Sequence, residues 1–113
     1  MSNIKITVEE QGDKQIIRLS GELDASSALE LDNVLQESIE GQFTAILIDC
    51  SSLDYISSPG IGLFTSRIEE MEQQGTSLVL FGLKDSVSTV FEILGLDQLL
   101  KIVSDEYEAK STS

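Results

Sequence analysis

The chain of 113 residues has no histidine, no tryptophan, one cysteine (Cys50) and one proline (Pro59). It has only 7 basic residues against 20 acidic ones. Each shortage excludes something. Without histidine there is no His-dependent triad, no imidazole general base and no imidazole metal ligand. One cysteine makes neither an internal disulfide nor a thiolate zinc site. A formal net charge of -13 repels phosphate backbones and anionic lipid, which argues against direct nucleic-acid binding. The start, MSNIKITVEE, lacks a basic region followed by an apolar stretch, so no signal peptide is expected. Apolar runs such as Ala45–Ile48 are far too short for membrane insertion. The expectation is a soluble cytoplasmic protein. Aromatics make up only 5% of a chain that is 41% hydrophobic, so its core must rest on Leu, Ile and Val.

What is present is well patterned. Ile4, Ile6 and Val8 alternate with Lys5 and Thr7, and Ile17 and Leu19 flank Arg18; Gln11-Gly12-Asp13 between them signals a turn. This predicts an antiparallel hairpin. Gly21 suits a bulge or bend where the second strand ends. Asp24 and Ser26 are candidate N-caps for a helix whose face is Ala28, Leu31, Leu35 and Ile39, ended by Gly41. Phe43–Ile48, apolar without alternation, reads as a central parallel strand closed by Asp49. A loop over Cys50–Ser57 then leads to a helix from about Pro59 to Gln74, with Ile61, Phe64, Ile68 and Met71 inward and Gly75 at its end.

Leu78–Phe81 is a further buried strand. Asp85 or Ser86 caps a helix with Val87, Val90, Phe91 and Leu94 inward and Gly95 as terminator. Leu99–Val103 is the last strand, 105–109 a short helix or turn, and Lys110–Ser113 a tail expected to fray. The fold class expected is α/β: one domain over 1–113, ordered from about 4 to 103. Its sheet is mixed but mostly parallel, of about five strands, with three to four helices and an N-terminal antiparallel hairpin.

In open α/β sheets, sites gather outside the carboxyl ends of the strands. That edge offers Asp24, Asp49, the loop Ser51-Ser52-Leu53-Asp54-Tyr55, then Ser57-Ser58-Pro59-Gly60, and after the next strand Gly82 and Lys84. Proline favours the first helical position, which makes Ser58 the expected N-cap, its hydroxyl accepting from the N–H of Gly60 or Ile61. A phosphate on Ser58 would be tolerated there, because a helix N-terminus carries partial positive charge. Read alone, a capping serine is routine. Asp49 ends a strand as a receiver phosphoacceptor does, but the acidic pair needed to hold magnesium is missing. Gly60-Ile61-Gly62 lacks the third glycine of a dinucleotide fingerprint. Cys50, beside Asp49, has no positive charge to make it a reactive thiolate. A hydrolase built on these strand ends would lack any His- or Cys-based nucleophile–base pair. No cofactor, metal site or catalytic residue is expected.

Three segments in order resemble the STAS domain of bacterial anti-sigma factor antagonists: Gly21-Glu22-Leu23-Asp24, Ala45-Ile46-Leu47-Ile48-Asp49 with Ser52-Leu53, and Tyr55-Ile56-Ser57-Ser58-Pro59-Gly60-Ile61-Gly62. The resemblance runs from about Ile4 to Val103. It implies a non-enzymatic partner-switching protein. In its unphosphorylated form such a protein binds an anti-sigma factor that is also a serine kinase, controlling transcription indirectly. Phosphorylation at the helix start releases it, and a serine phosphatase resets it. Carried over, the phosphoacceptor is Ser58, with Ser57 as second choice. Asp24, Asp54, Ser57, Ser58, Pro59, Gly60 and Gly62 are the implied partner contacts. Two positions depart from the family pattern: Ser57 stands where an Asp is usual, and Pro59 where Ser or Ala is usual. They motivate an alternative, a STAS scaffold or accessory subunit of a signalling or transporter complex that is not phosphorylated.

Overall fold

A computed structural model describes residues 3–112 of the chain. The N-terminal hairpin pairs β1 (Ile4–Gln11) with β2 (Lys14–Leu23) in antiparallel register. It is followed by α1 (Ala28–Glu40), β3 (Ala45–Ile56), α2 (Ser58–Gln74), β4 (Ser77–Phe81) and α3 (Asp85–Ile93). A 3-10 turn at Leu96–Gln98, β5 (Lys101–Val103) and α4 (Glu106–Thr112) complete it. The strands lie in the order β1-β2-β3-β4-β5, and every pair after the hairpin is parallel. This is the mixed, mostly parallel α/β sheet that the patterning predicts.

Each βαβ crossover steps one strand further in the same direction. Right-handed crossovers repeated in one direction place their helices on one face. Accordingly Leu31, Leu35 and Ile39 of α1, Ile61, Phe64 and Met71 of α2, and Val87 and Phe91 of α3 share one core with Ile17, Leu19, Ile46, Ile48 and Leu80 of the sheet. The opposite face carries Ile16, Ala45, Leu47, Val79 and Phe81, joined by Ala109 of α4. The run Ala45–Cys50 is buried throughout because both faces of β3 are covered. Burying one such Leu or Ile contributes about 1.5–3 kcal/mol. The strand order never reverses, so the sheet lacks the switch-point crevice where open α/β sheets usually bind small ligands.

Several boundaries differ from the sequence reading. The expected loop after Asp49 is strand: β3 continues to Ile56, because β2 runs beside it through the pairs Ser20–Ser52, Gly21–Leu53, Glu22–Tyr55 and Leu23–Ile56 with two register shifts. Gly21 therefore lies inside β2, at φ 109. A Cβ there would sit 2.1 Å from the Asn3 carbonyl oxygen, so the close passage of β1 requires glycine. Neither Asp24 nor Ser26 caps α1: Ser27 precedes it, and Asp24 instead closes a turn through the Ser26 N–H and hydroxyl. Leu94 is 54% exposed because α3 stops at Ile93 and Gly95 turns the chain at φ 72. That turn delays β5 to Lys101. At the C-terminus, α4 carries helix through Thr112, past Lys110 where fraying was expected, with Ala109 buried on the second face. Ser113 lies outside the described residues.

Candidate functional site

β4 ends where Phe81 lies opposite Asp49, but β3 runs on to Ile56 with the end of β2 beside it. These two strand ends form a projecting wing, and α2 begins at its tip. Ser57 is extended, with φ -110 and ψ 172. It donates its N–H to the Leu23 carbonyl at 3.0 Å and its hydroxyl to the same oxygen at 3.5 Å. The Ser57 carbonyl accepts the Ile61 N–H at 3.0 Å. Ser57 is therefore the N-cap, Ser58 the first helical residue and Pro59 the second, one step from the expected arrangement. The cause is tertiary: the Leu23 carbonyl, 34 positions back, holds Ser57 in the strand ladder.

Ser58 is left exposed, while Ser57 is half-buried. Of the first-turn donors, the Ser57 N–H goes to Leu23, Pro59 has none, and the Ile61 N–H goes to Ser57. The N–H groups of Ser58 and Gly60 remain as the orphan donors of this helix end. No acidic residue sits in the first turn of α2. An anion on Ser58 would meet the positive end of a 17-residue helix without a like charge on the same turn.

The two glycines of this helix have different reasons to be there. A Cβ on buried Gly60 would come 2.7 Å from Leu23 Cγ and 3.0 Å from the Leu23 carbonyl oxygen. Gly60 thus seats α2 against β2. Around Gly62 a Cβ would meet nothing within 4 Å, so its bare, exposed position leaves a gap on the helix surface.

Asp24 follows Leu23 directly and flanks the same contact. Its carboxylate accepts the Ser26 hydroxyl at 2.6 Å and the Ser26 N–H at 2.9 Å. Chiefly the Ser26 hydroxyl bond lowers its pKa against the opposing effect of burial. Asp54, exposed on the wing, is ion-paired with Lys84, which straps the β4–α3 connection to β3. Asp24, Ser57, Ser58, Pro59 and Gly60 are thus brought to one end, with Asp54 on the supporting wing and Gly62 further along α2.

Asp49 does not join them. It lies mid-strand on the second face, where Arg18 Nη1 donates to it and to Glu106 at 2.8 Å each, and Arg18 Nη2 pairs with Glu9 at 3.1 Å. Burial raises the Asp49 pKa, but the Ser51 hydroxyl and N–H together with Arg18 outweigh it and the net shift is downward. Arg18 hydrogen bonds hold Glu9 and Glu106 below the usual carboxylate range, with Lys110 assisting at Glu106. The Arg18 cluster was missed from sequence. Its signal was the adjacency of Ile16 and Ile17, which breaks the alternation and marks β2 as covered on both faces. Cys50 is fully buried, and burial pushes its thiol pKa up. Among the described residues no group of acids and cysteine is arranged to hold a metal ion, and no helix is long and apolar enough to cross a membrane.

The STAS domain family model matches residues 5–109. The chain is 33% identical over 107 residues to the anti-sigma-B factor antagonist of Listeria monocytogenes, covering 94% of each. It is 28% identical over 100 residues to the protein of the same name from Staphylococcus aureus, covering 88% of this chain and 93% of that one. Among solved structures it resembles an anti-sigma factor antagonist from Mycobacterium paratuberculosis, with TM-score 0.85, 20% identity, and 96% and 92% of the two chains covered. It also resembles the anti-sigma factor antagonist SpoIIAA in its unphosphorylated form, with TM-score 0.79, 24% identity, and 92% and 90% covered. The Bacillus cell fate determinant SpoIIAA in the phosphorylated form gives TM-score 0.72 at 22% identity, with 96% and 100% covered. At these identities the structures speak to the fold.

Proposed function

This chain belongs to the STAS domain family, and we propose that it works as an anti-sigma factor antagonist switched by phosphorylation of Ser58. Unphosphorylated, it docks on an anti-sigma factor that is also a serine kinase, through the end formed by Asp24, Ser57, Ser58, Pro59, Gly60 and Gly62, with Asp54 beside them. The kinase transfers the γ-phosphoryl of ATP to Ser58 Oγ, releasing ADP and a proton, and the complex separates. A serine phosphatase restores the docking form. The protein acts by binding, in the cytoplasm, and touches transcription only through its partner.

The observation that carries this reading is the placement of Ser58: exposed, first in α2, with an orphan N–H and no acid in its turn. The helix end accommodates the phosphate, so the fold need not change. The docked partner does not: a phosphate brings about -1.5 to -2 charge to an end that already carries Asp24. Each 1.4 kcal/mol of repulsion and desolvation weakens binding about tenfold. Two solved structures of this fold bear names for the unphosphorylated and the phosphorylated form of SpoIIAA.

Incubation with the cognate kinase-type anti-sigma factor and ATP, followed by peptide mass spectrometry, tests the reading. One phosphate on Ser58 is expected. Modification confined to Ser57 or absent would overturn it. Ser57 and Pro59 favour a second reading, an unphosphorylated scaffold, because one departs from the family's usual acid and the other removes a first-turn donor. In that case affinity purification recovers a scaffold or membrane complex, and no sigma-factor regulator.

A further inference from the structure

At the other end of the sheet lies a feature that the docking end does not use. Val8, Glu10 and Gln15 of the hairpin and Val34, Glu37, Ser38, Gly41 and Phe43 around the end of α1 enclose a groove of about 600 Å³. Gln15 is 6% exposed, and its Oε1 has no hydrogen-bond partner. Buried acceptors are almost always paired; Gln15 lines the groove, so a small turn of its side chain offers the covered Oε1 to a donor from outside. The hydroxyl in the groove lining is spent elsewhere: Ser38 Oγ donates to the Val34 carbonyl at 2.9 Å.

The electrostatics of this groove all have one sign. Glu10 and Glu37 are exposed on its rim, and neither has an ion pair among the described residues. The C-terminus of α1, the negative end of its dipole, opens here with no basic residue in the last turn. Between these polar groups Val8, Val34 and Phe43 supply apolar wall. Val8 is 45% exposed, and the ring of Phe43 lies over Gly41, where a Cβ would come 2.7 Å from Phe43 Cε2. An occupant must therefore be cationic, rich in N–H donors and able to lie along an aromatic face. A guanidinium on a three-carbon stem meets all three requirements better than a compact ammonium.

We infer that this groove takes an arginine side chain from a basic segment of a protein partner. The site stands at the start of β3, whereas Ser58 follows the end of β3. It is therefore a second contact, at the opposite pole from the proposed switch and independent of phosphorylation.

The test is a titration of the isotopically labelled full chain, followed by backbone and Gln15 side-chain amide NMR shifts. The probe is N-acetyl-arginine methylamide, compared with the matching lysine and citrulline compounds and with free L-arginine. A saturable shift centred on Gln15, Ser38, Gly41 and Phe43 is expected. It should be at least fivefold weaker in E10Q and E37Q, both exposed changes that leave the fold intact, and weaker also in Q15L. Ser58→Asp should leave it unchanged. Free L-arginine, whose own carboxylate faces Glu10 and Glu37, should bind more weakly than the blocked form. Absence of saturation, shifts scattered over the acidic surface, or an equal response to the neutral citrulline compound would overturn the site. An equal response to lysine would overturn the guanidinium assignment. Tighter binding of free arginine would overturn the protein partner, and a loss in Ser58→Asp would overturn the independence of the two poles.

Discussion

Alanine at Gly60 and alanine at Gly62 are the same chemical change two residues apart, and their effects should have opposite signs. In a helix, Gly→Ala gains up to about 1 kcal/mol by restricting the unfolded chain. At Gly62 nothing opposes this, because the new methyl meets no atom within 4 Å. At Gly60 the methyl would lie 2.7 Å from Leu23 Cγ and 3.0 Å from the Leu23 oxygen. Leu23 is fully buried and cannot swing away. Its carbonyl also holds the Ser57 N–H. Overpacking of this kind costs about 1–3 kcal/mol, so Gly60→Ala should be destabilised by up to about 2 kcal/mol net once the helix gain is subtracted. For a chain of this size that is a fall in Tm of up to about 8 °C, while Gly62→Ala should rise by a few degrees. Urea unfolding with unchanged m-values would check the free energies directly. Equal stabilities for the two variants, or a stabilised Gly60→Ala, would refute the claim that glycine 60 seats α2 on β2. Binding separates the roles further. If the gap at Gly62 receives a partner, Gly62→Ala binds less well although it is more stable.

Ser58→Asp should weaken binding to the anti-sigma factor by tenfold or more in calorimetry, and Ser58→Ala should retain it, with both variants melting close to the parent. Arg18→Met should cost about 2 kcal/mol at pH 7 in chemical unfolding, through lost hydrogen bonds to charged groups. The pH dependence has a definite sign. Glu9, Glu106 and Asp49 have folded pKa values below their ordinary 4.5, 4.5 and 3.8. Their stabilisation is present above those ordinary values and is lost as pH falls through the lower folded ones. The parent should therefore lose stability steeply below about pH 4, whereas Arg18→Met should show a shallower decline. A parallel decline would show that Arg18 is not the cause. The Cys50 thiol should resist alkylation in the native state and react fully after unfolding, since burial both covers it and pushes its pKa up.

The alternation in β1, the apolar run of β3 and the three spaced helix faces were legible because each reports burial against one covered surface. The continuation of β3 was not. Cys50–Ile56 reads as polar loop, and only the pairing with β2 makes it strand. That hidden ladder moved Asp49 away from the proposed switch and brought Asp54 onto its support. The cap shifted from Ser58 to Ser57 for a similar reason, since the deciding partner, Leu23, is distant in sequence. Helix α4 has one buried anchor, Ala109, too few for a period to show. Nothing in the sequence marks Gln15, because its missing partner is visible only in three dimensions.

The one-directional order of the strands has a kinetic consequence. Each strand pairs with a neighbour in sequence, so the sheet can grow by closing short loops, one βα unit after another, as the chain leaves the ribosome. The exception is α4. It follows all five strands in the chain, yet its Glu106 must reach back to Arg18, 88 positions earlier. Until it does, Ile16, Leu47, Val79 and Phe81 lie bare on the second face. A sheet completed before α4 docks would have one sticky side, the kind of surface that self-associates. The closing of one short helix ends that exposure.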